Sequence, residues 1–130
     1  MEASRTQGPV AMELGEDYPE LRESVCKVCA RYPGEYWRKL EEAQQYPTEF
    51  VRALTEAGFL SALIPEEYGG SGLPLRAAAV VLEEIGGSGC SAGAAHAQMY
   101  IMGTLLKHGS AAQKEKYLPG IASGKLRLQA

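Results

Sequence analysis

The stretch that decides the fold of this chain is SAGAAHAQMYIMGTLLKH, residues 91–108. It contains no charged side chain before Lys107, and it belongs to a longer uncharged run from Ile85 to Leu106. That run includes five glycines and several polar side chains, which is typical of a buried element and not of a bilayer span. A helix without charge on any face needs cover on all sides, which four or five short helices can hardly supply. We therefore expect one long helix that ends at Gly109 and whose cover is completed by sequence beyond Ala130.

Three helices are expected ahead of this stretch, in the first half of the chain. Pro19 after an acidic residue indicates the start of the first one, and Pro33-Gly34 indicates its end. A short surface helix is expected over residues 35–44. Pro47 opens the next helix, and Gly58 stands where a left-handed C-terminal cap is expected.

The middle of the chain, residues 59–89, predicts a connection and a fourth helix. Residues 59–65 are apolar and Ile64 precedes a proline, so we expect them to be extended. The glycine-rich segment 66–72 predicts a loop, and Pro74 then begins a helix that the glycines at 86–89 end. Five of its side chains are expected to face inward: Leu75, Ala78, Ala79, Leu82 and Ile85.

The C-terminal part predicts one more helix and then a change of structure. Ser110 and Gln113 match a capping box for a helix through Leu118 that Pro119-Gly120 ends. Residues 125–130 alternate like a half-buried strand, and no upstream segment offers it a partner. We therefore expect an all-α fold, an orthogonal bundle of about five to six helices with the start of a β-strand at the C-terminus. Its parts are a flexible leader (1–16), a helical domain (17–124) and the first strand of a β domain beyond the chain (125–130).

Composition narrows the classes of function. The net charge is −3 and the pI is near 5.4, which argues against a protein that binds nucleic acid through a basic face. The N-terminal residues have neither the apolar core of a secretory signal nor the basic character of a transit peptide. Three cysteines are too few and odd in number for a disulfide scaffold, so a cytoplasmic location is expected.

Three short motifs have both a chemical and a structural interpretation. Cys26 and Cys29 have C-x-x-C spacing but fall inside a predicted helix and lack a second ligand pair, so a buried apolar role is favoured over redox chemistry or zinc. The match of residues 87–92 to the G-x-G-x-x-A dinucleotide fingerprint follows Glu83-Glu84, which a buried strand would not tolerate, and is interpreted as accidental. The glycines at 69–72 lack the Lys-Ser/Thr of a phosphate loop and predict a tight turn.

His96 lies among small residues of the uncharged helix, at 93–97. Small side chains leave space on that face. Either another helix packs closely there, which is the commoner arrangement, or a ligand fills the gap. His108 stands in the last turn, where a cation complements the helix dipole, and a structural role is expected.

Several segments together resemble the N-terminal helical domain of the acyl-CoA dehydrogenase family. The segment FVRALTEAGFLSALIPEEYGGSG (50–72) is similar to the helix, loop and turn of that domain. LEEI (82–85), QKEKYLP (113–119) after His108-Gly109-Ser110, and IASG (121–124) resemble its later motifs in the same order. Lys125 departs from the acid usual after the last motif.

The resemblance implies a function that this chain does not complete alone. Members of the family use FAD to desaturate acyl-CoA thioesters between the α and β carbons, with a glutamate as base, and usually assemble as tetramers. Their flavin contacts and base follow beyond the residues matched here, so the chain alone is expected to hold neither FAD nor catalytic residues. The helical domain supplies one wall of the acyl tunnel, and the resemblance assigns this role to His96, Ala97, Met99, Tyr100 and Gly103.

Other functions stay open on the sequence. A related acyl-CoA oxidase or flavin monooxygenase would contain the same domain. A self-contained helical module would use its apolar surface to bind a protein partner. A dinucleotide-binding domain is the third and weakest alternative.

Overall fold

Six α-helices and two 3₁₀ turns form the regular structure of residues 15–127, the part of the chain that this computed structural model describes. The helices are α1 (Pro19–Cys29), α2 (Gly34–Ala43), α3 (Thr48–Glu56), α4 (Leu75–Gly87), α5 (Gly93–His108) and α6 (Ala111–Ser123). The 3₁₀ turns are Phe59–Ser61 and Glu66–Tyr68. The predicted all-α fold is thus confirmed for the described residues, whereas most of the predicted leader lies outside them.

The core lies between α1, α3, α4, α5 and α6 and includes the connection from α3 to α4. Burying one such apolar side chain contributes about 1.5–3 kcal/mol, so these residues dominate the stability of the fold. Its completely buried large side chains come from every helix except α2 and from the connection between α3 and α4: Val25, Phe50, Leu54, Ile64, Val80, Val81, Ile85, Met102, Leu118 and Ile121. α2 has no buried residue and lies on the surface, as predicted, with Trp37 packed edge-on against Phe50 at 4.9 Å between ring centroids.

α5 is the central element, but one of its faces has no cover within residues 15–127. Ala95, Met99 and Met102 are buried in the core, whereas His96, Tyr100 and Lys107 are exposed. The described residues therefore leave part of this helix uncovered, as expected from the small number of short helices in the chain. An apolar helix with an exposed stripe presents a surface that another group can occupy.

The set of α4 residues that faces the core is only partly the predicted one, since Ala78 and Ile85 are buried as predicted. The buried side chains of α4 are Ala77, Ala78, Val80, Val81 and Ile85. Leu75 and Ala79, predicted to point inward, are exposed, and Leu82 is only half-buried. The sequence LRAAAVVLEEI is apolar on two adjoining faces, and packing against α1 selects one of them. The other face looks toward α5.

Ion pairs fix the side of α4 that packs on α1. The guanidinium of Arg22 on α1 lies 3.3 Å from Glu83 and 3.4 Å from Glu84 on α4, and 3.0 Å from Asp17 ahead of α1. These contacts hold the two acids at the α1–α4 contact. The acids are consequently kept away from the α4 face that looks toward α5.

The connection over residues 59–73 is folded, so the prediction of an extended segment at 59–65 is wrong. Gly58 adopts the predicted left-handed conformation (φ 83°), and a 3₁₀ turn follows it at once. The segment then folds back on itself, because the amide of Gly72 donates to the carbonyl of Ile64 at 2.8 Å and that of Leu73 to Ala62 at 2.7 Å. Gly70 is required here, since a Cβ would collide with the backbone of Ile64. The side chains of residues 59–62 are all buried, which a compact turn allows, whereas an extended strand would place successive side chains on opposite faces.

α6 is longer than predicted. The capping box of Ser110 and Gln113 is present as expected, but the helix continues through Pro119 and ends at Gly124, whose φ is 80°. The reason is packing, since Ile121 in the turn after the proline is buried in the core. Residues 125–127 form a bend and not the predicted strand, with the amide of Leu126 bonded to the carbonyl of Gly120 at 2.9 Å. The rest of that prediction, residues 128–130, lies outside the described residues.

Between residues 15 and 127, no helix combines the length and the apolar character needed to cross a bilayer.

Candidate functional site

A cleft of about 370 Å³ opens between α4 and α5. This volume is within the range of small-molecule sites. Its lining is mostly apolar and includes no charged side chain: Leu63, Leu75, Ala78, Ala79, Leu82, His96, Met99, Tyr100 and Gly103. Such a site suits an uncharged, largely hydrocarbon group.

α5 forms one wall of the cleft because its lining residues follow helical spacing. His96, Met99, Tyr100 and Gly103 are three, four and seven positions apart, which places them on one helix face. Met99 forms the floor and is almost completely buried, whereas Tyr100 is 45% exposed at the rim. The rings of His96 and Tyr100 lie 5.2 Å apart at 56°, so the two polar groups of the cleft stand together.

α4 forms the opposite wall with Leu75, Ala78, Ala79 and Leu82, of which only Ala78 is also buried in the core. Leu75, the first residue of α4, is 75% exposed. Ala78 and Ala79 contribute only methyl groups, so the cleft is wide beside them. Leu75 and Ala79 are exposed, and Leu82 beside them is half-buried, so their apolar surface is continuous with the cleft, which is typical of a surface that binds another group.

The structure brings together four of the five residues that the sequence assigned to a pocket wall. His96, Met99, Tyr100 and Gly103 line the cleft, and Ala97 does not, because the helical step rotates it off that face. Sequence reasoning missed the lining from α4 and from Leu63. The available signal was the second apolar face of α4, which was interpreted as core.

Two other depressions are as large or larger but fit an apolar ligand less well. One of about 480 Å³ beside α2 and α3 is lined by Gln45, Thr48 and Glu49 together with tyrosines. The other, about 400 Å³ between α5 and α6, is open and includes His108, Gln113 and Thr104. The second depression meets the α4–α5 cleft at Tyr100, which lines both.

The glycine-rich segments do not form phosphate-binding loops. The amides of residues 69–73 all donate to carbonyls of the same connection, so none of them is available to an anion. A helix, α4, precedes Gly87 where the dinucleotide fingerprint requires a strand. The amides of Gly89 and Cys90 are bonded to α4 carbonyls. The dinucleotide alternative is therefore wrong for this segment.

The cysteines form neither a redox pair nor a metal site within residues 15–127. Cys29 is buried as expected, and burial beside Cys90 raises its pKa to about 12. Cys26 is exposed, contrary to the expectation for this pair, and its Sγ lies 3.3 Å from Oε1 of Glu84. That hydrogen bond raises the pKa of Cys26. A thiol with a raised pKa is a poor nucleophile.

Comparison with known proteins identifies the family. The family model described as acyl-CoA dehydrogenase, N-terminal domain, matches residues 15–125. The chain belongs to the acyl-CoA dehydrogenase family. Acyl-CoA dehydrogenase FadE12 of Mycobacterium tuberculosis is 32% identical over 114 residues, which cover 87% of this chain and 29% of that relative.

Solved structures of acyl-CoA dehydrogenases have the same fold. A variant of the Tcur3481-Tcur3483 steroid ACAD is similar over 90% of this chain and 32% of its own, with a TM-score of 0.75 and 29% identity. Glutaryl-coenzyme A dehydrogenase in complex with glutaryl-CoA is similar over 92% of this chain and 31% of its own, with a TM-score of 0.72 and 29% identity. The chain thus spans about a third of the length of these acyl-CoA dehydrogenases or less.

Proposed function

We propose that the α4–α5 cleft is one wall of the acyl-binding pocket of an FAD-dependent acyl-CoA dehydrogenase, which desaturates acyl-CoA thioesters between the α and β carbons. The observation that carries the proposal is the uncharged cleft, lined by four of the five residues assigned to the wall. The family match supports the assignment of the domain. Transfer of an acyl chain from water to such a surface contributes about 0.8 kcal/mol per buried CH₂.

The open side of the cleft supports a pocket that other polypeptide completes. Leu75 and Tyr100 are exposed at its rim, and a pocket normally buries most of its ligand. We expect the β domain and the C-terminal helical domain of the full-length protein to close this side. A homotetramer is part of the same proposal and rests on the family resemblance alone, whereas the cytoplasmic location rests on the low and odd number of cysteines.

Desaturation needs a base for the α proton and an acceptor for the β hydride, and FAD supplies the acceptor when it is bound. The residues at 15–127 do not fit either task, because no carboxylate lines the cleft and the glycine-loop amides are bonded internally. In this proposal the domain supplies neither the base nor the hydride acceptor. Its role in the proposal is to bind and orient the acyl group and to exclude water from it.

A charge placed in the cleft tests the proposal. Ala79 lines the cleft but is exposed, so Ala79→Lys can fold while it puts an ammonium group into the acyl site. Ala112→Lys on the exposed face of α6 is the matched control. Hexanoyl-CoA is titrated into the full-length protein and its variants in an isothermal titration calorimeter. The affinity for hexanoyl-CoA is expected to fall at least tenfold in Ala79→Lys and to stay unchanged in Ala112→Lys. Equal affinities for the two variants would contradict the proposal.

The interaction-module alternative gives a different result in the same experiment. A module that binds a protein through the exposed face of α5 has no reason to bind hexanoyl-CoA, and the unmodified protein would show no heat of binding.

The oxidase alternative predicts binding but differs in the electron acceptor. Consumption of O₂ at the rate of substrate oxidation would identify an oxidase.

A further inference from the structure

Gly103 is a glycine inside a helix for which the described residues give no structural reason. A glycine destabilises a helix interior relative to alanine, because it loses more backbone entropy on folding. The usual justifications are a positive φ or a close neighbour. Gly103 has neither, since its φ is not positive and a Cβ built on it meets no atom within 4 Å.

Other glycines of the chain show what a structural requirement looks like. At Gly109 a Cβ would lie 2.5 Å from the carbonyl oxygen of Leu105. Gly124 combines a φ of 80° with Thr55 Cγ2 at 2.6 Å from the Cβ position. Packing within the chain requires these two glycines, whereas Gly86, Gly87 and Gly103 are helical and have no atom within 4 Å of a Cβ. Gly86 and Gly87 stand at the end of α4, but Gly103 lies inside α5 and lines the cleft.

The space in front of Gly103 is the α4–α5 cleft. The lining from α4 includes two alanines, Ala78 and Ala79, besides the larger Leu75 and Leu82. Both walls thus contribute residues with no side chain beyond Cβ, which leaves the cleft wide. An unbranched alkyl chain is narrow and gains little contact in such a gap, whereas a branched or ring-bearing group fills it.

We infer that Gly103 is a specificity-determining residue that keeps the cleft wide enough for a branched or cyclic acyl group. This inference rests on the proposed function, because it presumes that the cleft binds the acyl part of an acyl-CoA. It adds the substrate class: acyl groups without charge that are broader than a straight chain. The carboxylate of a dicarboxylic acyl group finds no cationic side chain in the lining.

Two acyl-CoA probes with the same number of carbons test the inference. Cyclohexanecarbonyl-CoA is broad and heptanoyl-CoA is narrow, so they differ mainly in shape. Both are titrated into the full-length protein and into its Gly103→Ala and Gly103→Val variants. Gly86→Ala is the matched control, since Gly86 is also helical and unobstructed but does not line the cleft.

Gly103→Val is expected to weaken the binding of cyclohexanecarbonyl-CoA about tenfold more than the binding of heptanoyl-CoA. A difference of this size is typical of one misplaced methyl or methylene group in a pocket. Gly103→Ala should have an intermediate effect. Gly86→Ala should leave both affinities unchanged. The thermal unfolding of each variant is also measured, because a lower Tm would indicate a damaged fold, whereas an unchanged or higher Tm indicates that the substitution only fills the cleft. Equal losses for the two probes, or no loss, would overturn the inference and leave the proposed function standing. If the unmodified protein binds neither probe, the proposed function fails and the inference fails with it.

Discussion

Replacement of Gly103 by alanine is expected to stabilise the protein while it narrows the cleft. The expected gain in the free energy of unfolding is about 0.5–1 kcal/mol, the difference between glycine and alanine in a helix interior. No steric term offsets it, because a Cβ at this position has no neighbour within 4 Å. The added methyl group enters the cleft and not the core.

The gain is measurable by thermal unfolding followed by circular dichroism in the absence of ligand. For a domain of about this size, 0.5–1 kcal/mol corresponds to a rise in Tm of about 2–6 °C. Gly86→Ala should raise Tm by a smaller amount, since Gly86 is near the end of α4. Gly124→Ala should lower it, because alanine at a φ of 80° is strained and meets Thr55. A fall in Tm for Gly103→Ala would show that the space beside Gly103 is filled and would refute the reasoning.

Two further predictions concern the fold around the cleft. Ser110→Ala should lower the free energy of unfolding, measured by urea denaturation, by about 1 kcal/mol. The reason is that Ser110 Oγ accepts a hydrogen bond from the amide of Gln113 in the capping box of α6. An unchanged urea midpoint would contradict this prediction. Iodoacetamide should label only Cys26, because the other two cysteines are buried. Glu84→Gln should shift the midpoint of the rate–pH profile of this labelling downward, because it weakens the hydrogen bond that raises the pKa of Cys26. An unshifted profile would show that Glu84 does not set this pKa.

The helices were predictable because their signals are local. Pro19, Pro47 and Pro74 each stand within two residues of a helix start, and Ser110 caps α6 as its spacing with Gln113 predicts. The end of α6 was not predictable from local signals, because burial of Ile121 after Pro119 overrides the proline as a stop. The turn at 59–61 was missed for the same reason, since burial and not local preference decides its shape.

The candidate site was predictable on one wall only. The small-residue face of α5 stands out because it is uncharged over many residues, and four of the five assigned residues line the cleft. The wall from α4 was missed because LRAAAVVLEEI has apolar residues on two faces, and periodicity alone does not tell which one packs on α1. The exposure of Leu75 becomes visible only in the folded chain.

Photolabelling of the full-length protein is the most direct measurement of the central claim, that the α4–α5 cleft holds the acyl group. An acyl-CoA with a diazirine on its acyl chain is bound, irradiated and mapped by mass spectrometry. The label should appear on Leu75, Met99 and their neighbours in the cleft, and excess hexanoyl-CoA should suppress it. Labelling that concentrates instead on Tyr36 and Tyr46 beside α2 and α3, or that hexanoyl-CoA does not suppress, would contradict the account.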